Sequence, residues 1–185
     1  MTMFDINELA EILENGEEGE AELTRYQDAL LELFSESPEG LELRKHYPDF
    51  GFWSAQLIYY GFAYVGVDLP HMTVNNVEEI VLDLFPRKIS LSSPESAKEA
   101  IPELVAFWTY LGREYGLDNA DSILKYLMGI TEDKFVGMMS DSSRFSIAKS
   151  FFMAGQTAGF DMSNPDEMNA FMHLYNLKFS ERKQE

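Results

Sequence analysis

Apolar residues recur along most of this chain at the three- and four-residue spacing of one helical face. Leu9, Ile12 and Leu13 mark a short first helix, which the run Asn15-Gly16-Glu17-Glu18-Gly19 ends. Leu23, Tyr26, Leu30, Leu33 and Phe34 follow as an apolar stripe, with Glu22, Asp28, Glu32 and Glu36 largely on the other face. Together these predict a helical hairpin with one greasy and one solvated side, closed by a break at residues 35–40. Residues 52–65 are apolar nearly all round, which predicts a central buried helix; Tyr59, Tyr60 and Val65 would also suit a strand.

Asn75 with Glu78 three residues on predicts the next helix start, and Val77, Ile80, Val81 and Leu84 its buried face. Phe85-Pro86 predicts its end, because a residue before proline is pushed out of the helical region. Ser93-Pro94 starts another segment, and Pro102 requires a kink or a turn before a helix over 102–115 with Leu104, Phe107, Trp108, Leu111 and Tyr115 inward. Asp118 is the expected cap of 119–128 and Thr131 of a short helix through Met139. From Ser142, Phe145, Ala148, Phe152, Gly155 and Gly159 form one seam, with 148 and 155 small enough for a neighbouring helix to approach. Asn164-Pro165-Asp166-Glu167 starts the last helix, carried by Met168, Phe171, Met172, Tyr175 and Phe179.

The pattern therefore predicts an all-α, single compact multi-helix domain of roughly eight or nine helices. Residues 1–42 are the acidic helical hairpin, docked on or loosely joined to a helical core at 43–180, and 181–185 form a polar tail. Charge sharpens this division. The first 42 residues hold 13 of the 32 Asp and Glu against one basic residue, Arg25, in a chain of net charge −18. Such a charge repels phosphates and anionic lipid, so direct nucleic-acid or membrane binding is disfavoured; it would suit a basic protein partner, but more simply it keeps the protein soluble. At 45% hydrophobic and 14% aromatic residues, burial offsets chain entropy and the chain folds.

Zero cysteines exclude disulfides, thiol nucleophiles and cysteine metal sites. The start, Met1-Thr2-Met3-Phe4-Asp5, has no signal-peptide pattern, and residues 52–67 are too short and interrupted to span a bilayer, which leaves a cytoplasmic expectation. No phosphate-loop, dinucleotide or nucleophile-elbow motif occurs, and no catalytic residue, cofactor or metal is expected. His46, His71 and His173 lie far apart; a metal site would need the fold to bring them together with carboxylates, and His173, placed between core residues, reads as a hydrogen-bonded structural histidine.

Two sets of residues are candidates. Arg87 and Lys88, behind the rigid Pro86, form an anion-binding or partner-docking corner, or else neutralise Asp83 and the preceding helix end. Trp53, Tyr59, Tyr60 and Trp108 could line an aromatic pocket. Seven of the ten methionines fall from Met128 onward, at the helical spacing of gap-filling core.

The run Val77-Glu-Glu-Ile-Val-Leu-Asp-Leu-Phe-Pro-Arg-Lys-Ile-Ser resembles a helix followed by a "PRK" signature in bacterial proteins of unknown function. The stretches Ile101-Pro-Glu-Leu-Val-Ala-Phe-Trp-Thr-Tyr-Leu and Ser143-Arg-Phe-Ser-Ile-Ala-Lys-Ser-Phe-Phe-Met resemble its later parts, so that residues 74–178 are covered. The resemblance implies a C-terminal helical module, joined in some relatives to other domains, and carries no functional residues. The leading expectation is a non-enzymatic protein-interaction or regulatory module. The alternatives are a small-molecule-binding or enzymatic domain built on the aromatic pocket, and an acidic nucleic-acid mimic; a homo-oligomer is compatible with each.

Overall fold

A computed structural model describes residues 4–15, 19–91 and 93–181. Its helices are α1 (Glu8–Asn15), α2 (Glu20–Glu36), α3 (Pro38–Arg44), α4 (Phe52–Tyr60), α5 (Val74–Glu78), α6 (Phe85–Lys88), α7 (Ala100–Tyr115), α8 (Ala120–Met128), α9 (Glu132–Ser140), α10 (Ile147–Thr157) and α11 (Pro165–Glu181). No strand occurs among the described residues, so 52–65 is helical and the fold is all-α. The helix stop expected at Gly16-Glu17-Glu18, the side chain of Phe179 and the tail at 182–185 lie outside the described residues.

The core is organised around α7, which packs against α3, α4 and α8. Its Leu104, Phe107, Trp108 and Leu111 are completely buried, as the stripe predicts. The greasy side of α2 faces the same core: Phe34 sits edge-on to Phe107 at 5.2 Å and against Tyr110 at 5.6 Å. Each such large apolar side chain contributes about 1.5–3 kcal/mol through burial. The N-terminal hairpin is therefore docked, and the buried set runs continuously across residue 42, from Ile6 to Met139.

Four local expectations are corrected. Residues 35–40 do not break the chain into a loop, because Ser37 ends α2 and starts α3 at once. Its extended backbone stops the first helix while its hydroxyl accepts from the Gly40 N–H at 3.1 Å, with Pro38 at the first helical position. The helix from residue 74 starts on Thr73, whose side chain pairs reciprocally with Asn76, rather than on Asn75. It does not stop at Phe85-Pro86: a wider π turn over Glu79–Leu84 leads into α6, with Phe85 helical at φ −60° and ψ −54°. Asp118 does not cap α8; Asn119 stands at that position, and its side chain is used elsewhere.

The chain after α9 is built differently. α10 and α11 share a small aromatic cluster of their own, in which Phe171 lies 5.1 Å from Phe151 and 5.4 Å from Phe160. Gly155 allows this, since a Cβ there would overlap Met162, whereas Ala148 is exposed and faces no neighbouring helix. His173 is likewise exposed on α11 rather than held among core residues.

Candidate functional site

The Phe85-Pro86-Arg87-Lys88 corner is where the two parts of the molecule meet. Pro86 has no N–H for the carbonyl of Leu82, four residues earlier, and that carbonyl accepts instead from Arg144 Nη1 at 3.4 Å. The carbonyls at the end of α6 are taken by the other side of the junction: Ser146 N–H donates to Arg87 O at 3.0 Å, and Lys149 Nζ donates to Pro86 O at 2.8 Å. Lys149 Nζ also reaches Met139 O, in the last turn of α9, at 3.3 Å, and lies 3.9 Å from the centre of the Phe145 ring. One ammonium thus closes the electronegative ends of two helices. Lys149 is 4% exposed, and burial lowers its pKa from 10.5 to about 8.

The two cations singled out in the sequence are occupied locally. Arg87 Nη1 is 3.7 Å from Asp83, and Lys88 Nζ stands 5.0 Å over the ring of Tyr64. The chain's own α10 sits on this corner, and the contacts run through backbone carbonyls. Sequence reasoning missed Lys149, although one signal was available: a lysine between Ala148 and Ser150 on a helix otherwise read as an apolar seam.

Three of the four aromatic candidates, Trp53, Tyr60 and Trp108, are core. Trp53 and Trp108 are 2% and 0% exposed; Trp53 packs on Phe85 at 5.4 Å and Phe135 at 5.7 Å, and donates to Ser96 O at 3.2 Å. Tyr60 is buried beside Phe85, and Tyr59 stands 37% exposed next to Tyr60 and Tyr64. None of the four lines either of the two clefts described below.

The buried polar groups serve local structure. Glu103, 1% exposed in the first turn of α7, accepts from Ser54 N–H at 2.6 Å and so caps α4, whose preceding Gly51 has no side chain to do it. Burial raises its pKa, opposed by that hydrogen bonding. Asp68 is buried with its Oδ1 2.7 Å from Nδ1 of the exposed His71, and its other oxygen has no partner. The same loop is held by Asn119, whose Nδ2 donates to the carbonyls of Leu69, Pro70 and Met72 at 3.0, 3.3 and 2.7 Å. No group of three or more His, Asp or Glu side chains able to hold a metal occurs among the described residues.

Two clefts open on the surface. The first, of about 440 Å³, lies between the α5–α6 segment and α8–α9 and is lined by Glu78, Leu82, Ser122, Lys125, Tyr126, Ile130 and Lys134. Burial first, and the neighbouring Glu78 carboxylate second, push the Tyr126 hydroxyl up to about 12. The second, of about 480 Å³, lies between α3 and α7, with a floor of Leu43, Pro102 and Ala106 and with Glu39, Glu42 and His46 at its edge. Glu39 is held by two hydrogen bonds from Arg113, at 2.7 and 3.0 Å, which keep its carboxyl below the usual range.

Among the described residues no helix is long and apolar enough to cross a membrane. Comparison of the chain with protein-family models, with curated proteins and with solved structures finds no match.

Proposed function

We propose that the protein is a non-enzymatic interaction module whose α3–α7 groove receives a basic amphipathic segment of a partner protein. The observation that carries this is the groove itself: an apolar floor between two helices, on a protein of net charge −18 whose adjoining α2 carries a row of exposed acids. A helix laying leucine-like side chains on Leu43, Pro102 and Ala106 would set its lysines in the field of the acidic α2, Glu39 and Glu42 being already paired with Arg113 and Lys45. The exposed acids Glu20, Glu22, Asp28, Glu32 and Glu36 of α2 support fast capture of such a partner.

The same acids argue against nucleic-acid mimicry. At about 100° per residue they spread over the whole solvent arc of α2 instead of following one line. The enzymatic reading built on Trp53, Tyr59, Tyr60 and Trp108 loses its support because the two tryptophans are core.

The test uses a synthetic amphipathic helix of leucine and lysine and its glutamate counterpart. The lysine peptide is expected to bind saturably, more weakly at high salt, and not at all to Thr109→Arg, which places bulk and positive charge at the exposed rim. Equal binding by that variant, or by the glutamate peptide, excludes the groove. Co-purification at low and high salt with mass spectrometry would then identify the natural partner.

A further inference from the structure

Most cations of this chain are already engaged. Arg25 pairs with Glu8, Lys45 with Glu42, Arg87 with Asp83, Lys98 with Glu132, Arg113 with Glu39 and Arg144 with Asp141. Arg44 donates to Ser35 O, Lys88 covers Tyr64, and Lys149 is buried on backbone carbonyls. With 32 acids to 14 bases, that is the expected state of a basic side chain here. Of the basic side chains described, Lys125 and Lys134 are the two that make no ion pair, side-chain hydrogen bond or ring contact, and both line the 440 Å³ cleft. One comes from α8 and the other from the first turn of α9, so the fold, not the sequence, brings them to one place.

The cleft is shallow and open to solvent, so a ligand seated here keeps one side in water. The cleft's volume is in the range of ligand pockets, roughly 300–1,000 Å³. Leu82, Ile130 and Tyr126 give apolar surface, and Ser122 adds a hydroxyl. Glu78 is the cleft's carboxylate, next to the Tyr126 hydroxyl.

We propose that this cleft binds a small phosphate monoester carrying an apolar or aromatic body, with Lys125 and Lys134 on the phosphate and Leu82, Ile130 and Tyr126 on the body. Two ammonium groups match a dianion better than a carboxylate, which needs one. Glu78 rejects anions placed elsewhere in the cleft and fixes the orientation. The acidic remainder of the surface makes adventitious anion binding weak, so a saturating anion reports a dedicated place.

The full chain, ¹⁵N-labelled and at low salt, is titrated with phenyl phosphate, inorganic phosphate and phenylacetate. Phenyl phosphate is expected to shift the amides of Ser122, Tyr126, Gly129 and Lys134 saturably, with at least tenfold weaker binding for phenylacetate and for inorganic phosphate. Lys125→Gln and Lys134→Gln should each weaken it several-fold and together abolish it. Lys45→Gln, outside the cleft, should leave it unchanged. Both cleft lysines are exposed, so unchanged shifts elsewhere verify the fold of the variants. Shifts scattered over the basic residues, binding retained in the double variant, or phenylacetate binding as well as phenyl phosphate overturns the assignment.

Discussion

A lysine ammonium buried with no carboxylate beside it ties folding to proton release. Lys149 gives up its proton at about 8 in the fold and near 10.5 in the unfolded chain. Between those values the unfolded chain binds more protons, so the Lys149 contribution rises with pH; below 8 its cost is present in full. Burial raises the pKa of Tyr26 and Tyr110, and they act in the other direction, removing stability as pH climbs above 10. Urea titrations from pH 7 to 10 should therefore show a rise in the wild type relative to Lys149→Met, and parallel curves would mean that the ammonium is not desolvated. Glu103 is the second residue of this kind. Its raised pKa makes its contribution greatest below about 4.5 and smaller as pH rises through the folded value. Glu103→Ala removes the acceptor of the Ser54 N–H and should cost about 1–3 kcal/mol at neutral pH, with Glu103→Gln losing less because an oxygen remains. Neither residue was legible beforehand: each sits on a helix whose stripe is apolar, and nothing local tells a buried charge from an exposed one.

At the level of elements, α2 and the α10–α11 hairpin exchange the roles that charge assigns them. α2, in the most acidic stretch, is a core helix; the later hairpin is the more separate piece, with its own aromatic cluster and a junction made at Pro86, Arg87 and Met139. Leu30→Ala should then cost about 2–5 kcal/mol and lower the single main transition. Phe171→Ala should melt α10–α11 first: helical circular dichroism falls while tryptophan emission stays, because the chain's two tryptophans, Trp53 and Trp108, lie in the main core. Loss of both signals together would show a single cooperative unit. The stripe of α2 was readable because its spacing is regular and its acids mark the wet side. α3 was hidden by a break that is really two helices sharing Ser37, the same Ser-Pro signal that was recognised at Ser93-Pro94. The continuation through Phe85-Pro86 was hidden because a π turn relieves the clash that normally ends a helix there.

Over the whole molecule, charge and groove are arranged independently of the core. With 32 acids to 14 bases, self-repulsion lowers stability at low ionic strength. Raising salt from about 10 to 150 mM, where the screening length falls from about 30 to 8 Å, should raise the melting temperature, and a fall would show that the ion pairs outweigh the repulsion. Fold class was legible because periodicity is a whole-chain property. The clefts were not: Lys125 and Lys134, or Leu43 and Ala106, converge only after helices far apart in sequence have packed. One arrangement also bears on synthesis. Every buried side chain of the main core, through Met139, precedes α10 in the chain, and chains fold N-terminal parts first as they leave the ribosome. The body around α7 is thus free to assemble while α10 and α11 are still being made. Until Lys149 emerges, the carbonyls of Pro86 and Met139 stand open to water, and its arrival is the step that seals the nascent protein.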